Sequence, residues 1–216
     1  QIVGIRGEYG SAAQMERLVS GSDIVVNCLG ILFEKGKNTF ARLHTEYPAW
    51  IGQACAAAKV RTSIHISALG INQSASRYAK SKLSGEEALH KAFPSATILR
   101  PSVIFGPEDN FDLAAGHVLP ALIRKAHDAK LRGDREIVIW GTGTPRREFL
   151  HVDDCADAIV LLAKCYSGRE HVNVGSGEDI TILDLTRIIC EVVGFTGAIA
   201  HDLSKPDGTP GKLMDS

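Results

Sequence analysis

Aromatic side chains are scarce in this chain, at 6% of 216 residues, and neither sign of charge prevails, with 24 Lys and Arg against 25 Asp and Glu. Without a basic block or stripe, the sequence lacks the electrostatic footprint of a nucleic-acid or anionic-membrane binder. No apolar run approaches the roughly 18 residues of a bilayer span, so no membrane span is expected. The five cysteines (Cys28, Cys55, Cys155, Cys165 and Cys190) are odd in number and never stand as a CxxC pair. They fit reduced, mostly buried thiols in a cytoplasmic setting better than a disulfide framework. No second ligand stands at metal spacing from His117, His151 or Asp153-Asp154, so no metal site is expected. Residues 1–6 show neither the basic-then-apolar pattern of a signal peptide nor a targeting helix.

What is present is an alternation of strand and helix patterns. Residues 1–6 read as a strand and residues 11–20 as a helix with Ser11 at its N-cap. Residues 23–27 form a continuous apolar run, as in a parallel strand buried on both faces. A long helix follows over 38–58, its alanine-rich end from Ala54 to Ala58 allowing close approach to a sheet. A strand over 62–67, a helix over 76–92 and a strand over 96–99 come next, the last closed by Arg100-Pro101. This order predicts an α/β fold, a Rossmann-like doubly wound parallel sheet with right-handed crossovers. Beyond Pro107 the elements shorten: a helix over 118–130, a strand over 136–140, a turn over 141–145, and helices over 153–164 and 182–193. Asp153 reads as an N-cap, and the 34–37 stretch as a solvated loop. The expected division is a dinucleotide-binding domain over 1–110 and a small α/β substrate lobe over 111–216 with interleaved Rossmann elements.

Tyr78 and Lys82, four residues apart, share a helix face, so phenol and ammonium can point into one site. A nearby cation favours the phenolate and lowers the tyrosine pKa, fitting Tyr78 for proton transfer to an alcohol/ketone pair. Ser67, eleven residues upstream at a strand end, can hydrogen-bond the same oxygen. Asn27-Cys-Leu-Gly30 also ends a strand, where α/β sheets bind cofactors and where a glycine admits a ribose or diphosphate. In Arg100-Pro-Ser-Val-Ile-Phe-Gly-Pro107, proline stops the strand and exposes backbone amides suited to a carboxamide. Trp140-Gly-Thr-Gly-Thr-Pro-Arg-Arg-Glu-Phe149 joins a stacking surface to two guanidiniums matched to phosphate oxygens. The other reading of that segment is a surface loop with Arg146 solvated, Arg147 paired to an acid and Trp140 in the core. Residues 173–177 read as strand and turn, since no Lys-Ser/Thr follows to make a phosphate loop.

Taken together, Asn27-Cys-Leu-Gly30, Ser67, Tyr78-x-x-x-Lys82 and Arg100-Pro…Gly106-Pro107 resemble, in order and spacing, the extended short-chain dehydrogenase/reductases of the NAD-dependent epimerase/dehydratase family. Residues 1 to about 110 are similar to the atypical branch related to a subunit of NADH-ubiquinone oxidoreductase, through VVNCLGILFEKGKNTF, HISALGIN, SRYAKSKLSGEE and ATILRPSVIFGPED. Residues from about 109 to 216 resemble the GDP-L-fucose synthase group, through HVLPALIRK, VIWGTGTPRREFLHVDD, HVNVGSGEDITI and SKPDGTP.

The resemblance implies NADP (or NAD) as cofactor, a nucleotide-sugar substrate, and an epimerase/reductase that reduces a 4-keto sugar nucleotide. It implies Ser67, Tyr78 and Lys82 as the reductase triad and His117 as an epimerisation acid/base. It places Asn27, Gly30, Lys82, Arg100, Pro101 and Val103 at the cofactor, and Asn110, His117, Lys125, Trp140 and Arg147 at the substrate. A homodimer through the helices at 38–58 and 78–92 is expected as in relatives. The first half's relative implies an alternative, a non-catalytic dinucleotide-binding accessory or assembly subunit of respiratory complex I type. Two positions depart from the synthase pattern: Leu69 where that group has the cysteine base, and Gly211 where it has an arginine. Reduction is thus implied more fully than epimerisation. The family opens with a strand and a GxxGxxG turn that holds the pyrophosphate. The chain is expected to be a fragment, cut at both ends and without those first strands.

Overall fold

The computed structural model describes residue 4 and residues 11–113, 116–207 and 211. Apart from Gly4, the strand expected over 1–6 lies outside them. By its contacts the chain forms two compact units, one of Gln1–Pro101 and Asp157–Val174, the other of Ser102–Ala156 and Gly175–Ser216. The architecture is the expected α/β one, with parallel sheets and a Rossmann-like first unit.

In the first unit, β1 (Ile24–Asn27), β2 (Thr62–Ile66), β3 (Thr97–Pro101) and β7 (Val172–Val174) form a parallel sheet in that order. The helices are α1 (Ala12–Val19), α2 (Tyr47–Ala57) and α3 (Arg77–Ala92). Met15 and Val19 of α1, Ile51, Ala54 and Cys55 of α2, and Leu89 of α3 close over Ile98 of β3 to make one apolar core. The two-sided burial expected of β1 belongs instead to β2 and β3. On β1, which is the edge strand of this sheet among the described residues, Ile24 and Val26 are 39% and 40% exposed. All five residues of β3 are buried. Arg100 and Pro101, expected to end that strand, are its last two residues and pair with Asn173 and Val174. Proline is tolerated there because no later pair of the ladder needs its missing N–H.

The long helix expected over 38–58 is not uniform. Ala41–Glu46 is π-helical and runs directly into α2. Within the alanine-rich end Ala54 and Cys55 are buried, whereas Ala56, Ala57 and Ala58 face outward. Close packing on α3 falls to two glycines instead. A side chain at Gly52 would meet Ala92 Cβ at 2.9 Å, and one at Gly85 would overlap the His44 carbonyl oxygen. The 34–37 stretch does more than face water: Glu34 accepts from the Phe40 N–H at 2.9 Å and pairs with Arg77 at 2.8 Å.

In the second unit, α4 (Val118–Arg132) and α6 (Ile182–Val193) pack Leu122, Ala126, Leu185 and Ile189 around Ile137 and Ile139 of β5 (Glu136–Trp140). β5 pairs in parallel with β9 (Ala198–Asp202). β4 (Val103–Phe105), β6 (Arg146–His151) and β8 (Asp179–Thr181) form a second small sheet. The segment 100–107 is therefore two strands broken at Ser102 rather than a loop of free amides. α5 (Val152–Cys165) follows β6 directly, so Asp153 lies in its first turn rather than at an N-cap. Cys55, Cys155 and Cys190 are buried thiols, whereas Cys28 and Cys165 are exposed. No helix among the described residues is long and apolar enough to cross a membrane.

Replacing Gly85 with alanine drives a methyl into the His44 carbonyl and should lower stability by about 1–3 kcal/mol, read from the urea unfolding midpoint. An unchanged midpoint would show that the π turn relaxes freely.

Candidate active site

α3 begins where the Ser76 hydroxyl accepts the Ala79 N–H at 3.1 Å, an N-cap that fixes the first helical turn. Tyr78 lies in that turn and Lys82 one turn on, on the face toward the sheet. Lys82 is 4% exposed, and its Nζ donates to the Ile66 carbonyl at 3.1 Å, at the residue before Ser67. Ser67 is buried, donates its N–H to the Leu99 carbonyl at 2.7 Å, and leaves its Oγ without a partner among the described residues. Gly30 lies beside the same ammonium, Lys82 Nζ standing 3.4 Å from where a Cβ would be. Asn27 is locked, its Nδ2 donating to His65 Nδ1 at 2.8 Å and its Oδ1 accepting from the Leu29 N–H at 3.0 Å.

The electrostatics differ from the sequence expectation. Burial pushes the Tyr78 phenol up rather than down. Lys82 is lowered to about 8, chiefly by burial, with Glu86 and Cys28 opposing. His44 falls to about 4 and His65 to about 3, both mainly by burial and then by the charge of Lys82. At neutral pH the site therefore holds a protonated phenol, two neutral imidazoles and one ammonium. Arg100 directs its guanidinium inward: Nε donates to Glu86 Oε1 at 2.9 Å and an NH2 group to Asn72 Oδ1 at 3.2 Å, with a second bond to Glu86 Oε2. These bonds tie its fork to α3 and to Asn72 in the 70–76 turn. Pro101 is buried beside it, and Val103 is half-buried in β4 of the other unit.

The remaining candidates lie in the second unit. His117 is exposed and precedes α4, its side chain making no capping bond. Asn110 Oδ1 accepts from the Asp112 N–H at 3.1 Å. Lys125 donates to the Val138 carbonyl at 2.6 Å. Trp140 is 54% exposed rather than in the core, with Lys205 Nζ 5.6 Å above its ring. Arg147 is half-buried and donates to the Arg146 carbonyl at 2.7 Å, whereas Arg146 pairs with Asp179 at 2.7 Å. The Asp207 carboxylate closes the turn after Trp140 by accepting the Thr142 N–H at 2.6 Å.

His44, Ser81 and His65 are the groups that sequence reading passed over. Their only signal was polarity on an otherwise apolar face, which reads as packing. Glycines at 4, 7 and 10 do stand at GxxGxxG spacing, so the expectation that this pattern is missing does not hold for the sequence. Three spaced glycines are by themselves a weak signal, and Gly7 and Gly10 lie outside the described residues.

The family model of the NAD dependent epimerase/dehydratase family matches residues 4–175. The chain belongs to that family. It is 59% identical over 116 residues to GDP-L-fucose synthase 1 of Arabidopsis thaliana, covering 54% of this chain and 36% of that protein. It is 50% identical over 143 residues to the GDP-L-fucose synthase of Sinorhizobium fredii, covering 64% and 46%. The chain thus spans between a third and a half of the curated relatives it matches. The NADP-bound GDP-L-fucose synthetase structure from Naegleria fowleri superposes with a TM-score of 0.81 at 24% identity, over 94% of this chain and 72% of that one. That likeness carries the fold.

Lys82 generates a pH signature. Its native pKa of about 8 lies below the unfolded value of 10.5. The unfolded chain thus holds more protons between those values, and stability should rise with pH across that window, by about 3 kcal/mol at most. In Lys82→Met the rise should vanish, as measured by urea unfolding at pH 7, 8.5 and 10.

Proposed function

We propose that this chain carries the reducing centre of an NADP- (or NAD-) dependent sugar-nucleotide epimerase/reductase acting on a GDP-linked 4-keto sugar. The observation that supports it most directly is the placement of the Lys82 ammonium on the Ile66 carbonyl. There it lies next to Ser67 and one helical turn from Tyr78. The orphaned Ser67 Oγ and the close approach left open by Gly30 fit a nicotinamide cofactor with a ketone beside it. When bound, that cofactor supplies the hydride. Asn27, Gly30 and Lys82 would hold it. The Ser67 hydroxyl donates a hydrogen bond to the ketone oxygen and orients the carbonyl. Tyr78, kept protonated by its burial, delivers the proton to that oxygen, and Lys82 offsets the charge left on the phenolate.

In the second unit, Trp140 offers a ring face to a base and Arg147 a guanidinium to a diphosphate. Asn110, Lys125 and His117 belong to the same substrate reading. His117 is the acid/base of an epimerisation step whose second member is Leu69 here, so reduction is the better supported half of the activity. A homodimer and a cytoplasmic setting form part of this proposal. The accessory-subunit reading draws no support from the relatives.

Tyr78→Phe should cut NADPH oxidation with GDP-4-keto-6-deoxymannose at least about a hundredfold while leaving dinucleotide binding intact; undiminished turnover would refute the triad. Trp140→Ala should weaken GDP binding by about 1–3 kcal/mol in calorimetric titration, with NADPH affinity unchanged. Equal GDP affinity in that variant would remove Trp140 from the substrate reading.

A further inference from the structure

We propose that His44 is a positioning residue for Tyr78 and Lys82, a fixed imidazole that ties the loop after β1 to the helix bearing both groups. This rests on the reductase reading above. His44 is 1% exposed, and both its ring nitrogens are engaged in a directed way. Nε2 accepts the Ile31 N–H at 3.0 Å, so in the neutral ring the proton sits on Nδ1. That Nδ1–H faces Ser81 Oγ at 2.9 Å, and the Ser81 hydroxyl donates onward to the Tyr78 carbonyl at 2.7 Å. The chain of bonds runs in one direction, from the backbone beside Gly30 to the backbone of Tyr78.

The ring also sets the phenol itself. It stands edge-on to the Tyr78 ring, with centroids 5.3 Å apart and planes at 88°, and stacks on Phe40 at 5.2 Å. Phe40 meets Tyr78 edge-on in turn, at 5.9 Å. The backbone of His44 is held just as closely, its carbonyl packed on Gly85 of α3. The π-helical turn provides this arrangement, pressing the main chain on one side of α3 while the imidazole reaches the loop after β1.

The charged and titratable neighbours keep the ring neutral. Burial opposes a second proton most, the charge of Lys82 on α3 adds to it, and Glu34 favours it more weakly. A proton on Nε2 would set a donor against the Ile31 N–H and release the loop beside Gly30. A residue that only filled space would need neither nitrogen.

The test uses the full chain with His44→Phe, which keeps an aromatic ring and removes both nitrogens, and His44→Ala. In His44→Phe, the KM for NADPH and for the keto sugar should stay within about threefold, while kcat falls at least about tenfold, the cost of a misplaced acid. Ultraviolet titration should find the Tyr78 phenol above its ordinary range in wild type and in His44→Phe, and lowered toward that range in His44→Ala. Long-range proton–nitrogen spectra of the wild type should show His44 with its proton on Nδ1 and neutral down to pH 5. Wild-type kcat in His44→Phe, a proton on Nε2, or titration near the ordinary histidine value would each overturn the proposal. If the wild type turns over no keto sugar, the reductase reading fails, and the nitrogen spectra and phenol titration still decide whether His44 holds this network.

Discussion

The buried fork of Arg100 on Glu86 is the constraint on which the first unit depends. Arg100 sits in β3 and Glu86 on α3, 5% and 6% exposed. Two hydrogen bonds between them fix where the helix lies along the sheet. Burying such a pair adds little net stability, yet leaving either partner alone would strand a charge in the interior. The pair therefore acts as a register mark. Tyr78, Lys82 and Glu86 fall at four-residue spacing along one stripe of α3. Anchoring the third at the sheet sets the height of the other two, so that Lys82 meets the last carbonyl of β2.

Around that stripe the interior holds the paired Arg100, the Lys82 ammonium and little other positive charge. His44 and His65 are both stripped of their proton by burial, and Lys82 pushes each further down. The lysine keeps its proton at neutral pH because Glu86, already bonded to Arg100, still contributes a field, and because the Ile66 carbonyl receives the ammonium. An ammonium near a protonated phenol is a site prepared for charge that develops on oxygen, while the neighbouring buried cation, Arg100, is engaged by Glu86.

Much of this was legible in the sequence wherever the residues obeyed one period. α3, α4, β5 and α6 show plain helical or strand patterns, and Tyr78 and Lys82 follow from their spacing on α3. Legibility failed where side chains contradict their backbone. β6 reads as a charged loop because Arg146, Arg147 and Glu148 are polar, although Glu148 is buried and accepts the Gly177 N–H at 2.8 Å. Nothing in the sequence shows that Arg100 takes Glu86, fourteen residues earlier, as its partner. No residue pattern announced the π turn, where His44 packs on Gly85, a contact across forty-one positions. The direction of the Tyr78 shift was misjudged for a related reason: sequence shows which charge is near and not how much water has been excluded.

The lysine above Trp140 has a consequence for recognition. An exposed cation on an indole face is worth about 0.5–1 kcal/mol, and Lys205 already occupies that position. An incoming ring gains only the difference between its own stacking and the contact it displaces. Under the proposed substrate reading the ammonium would act as an internal competitor, setting a threshold that a broad flat ring passes and a shallow stacker does not.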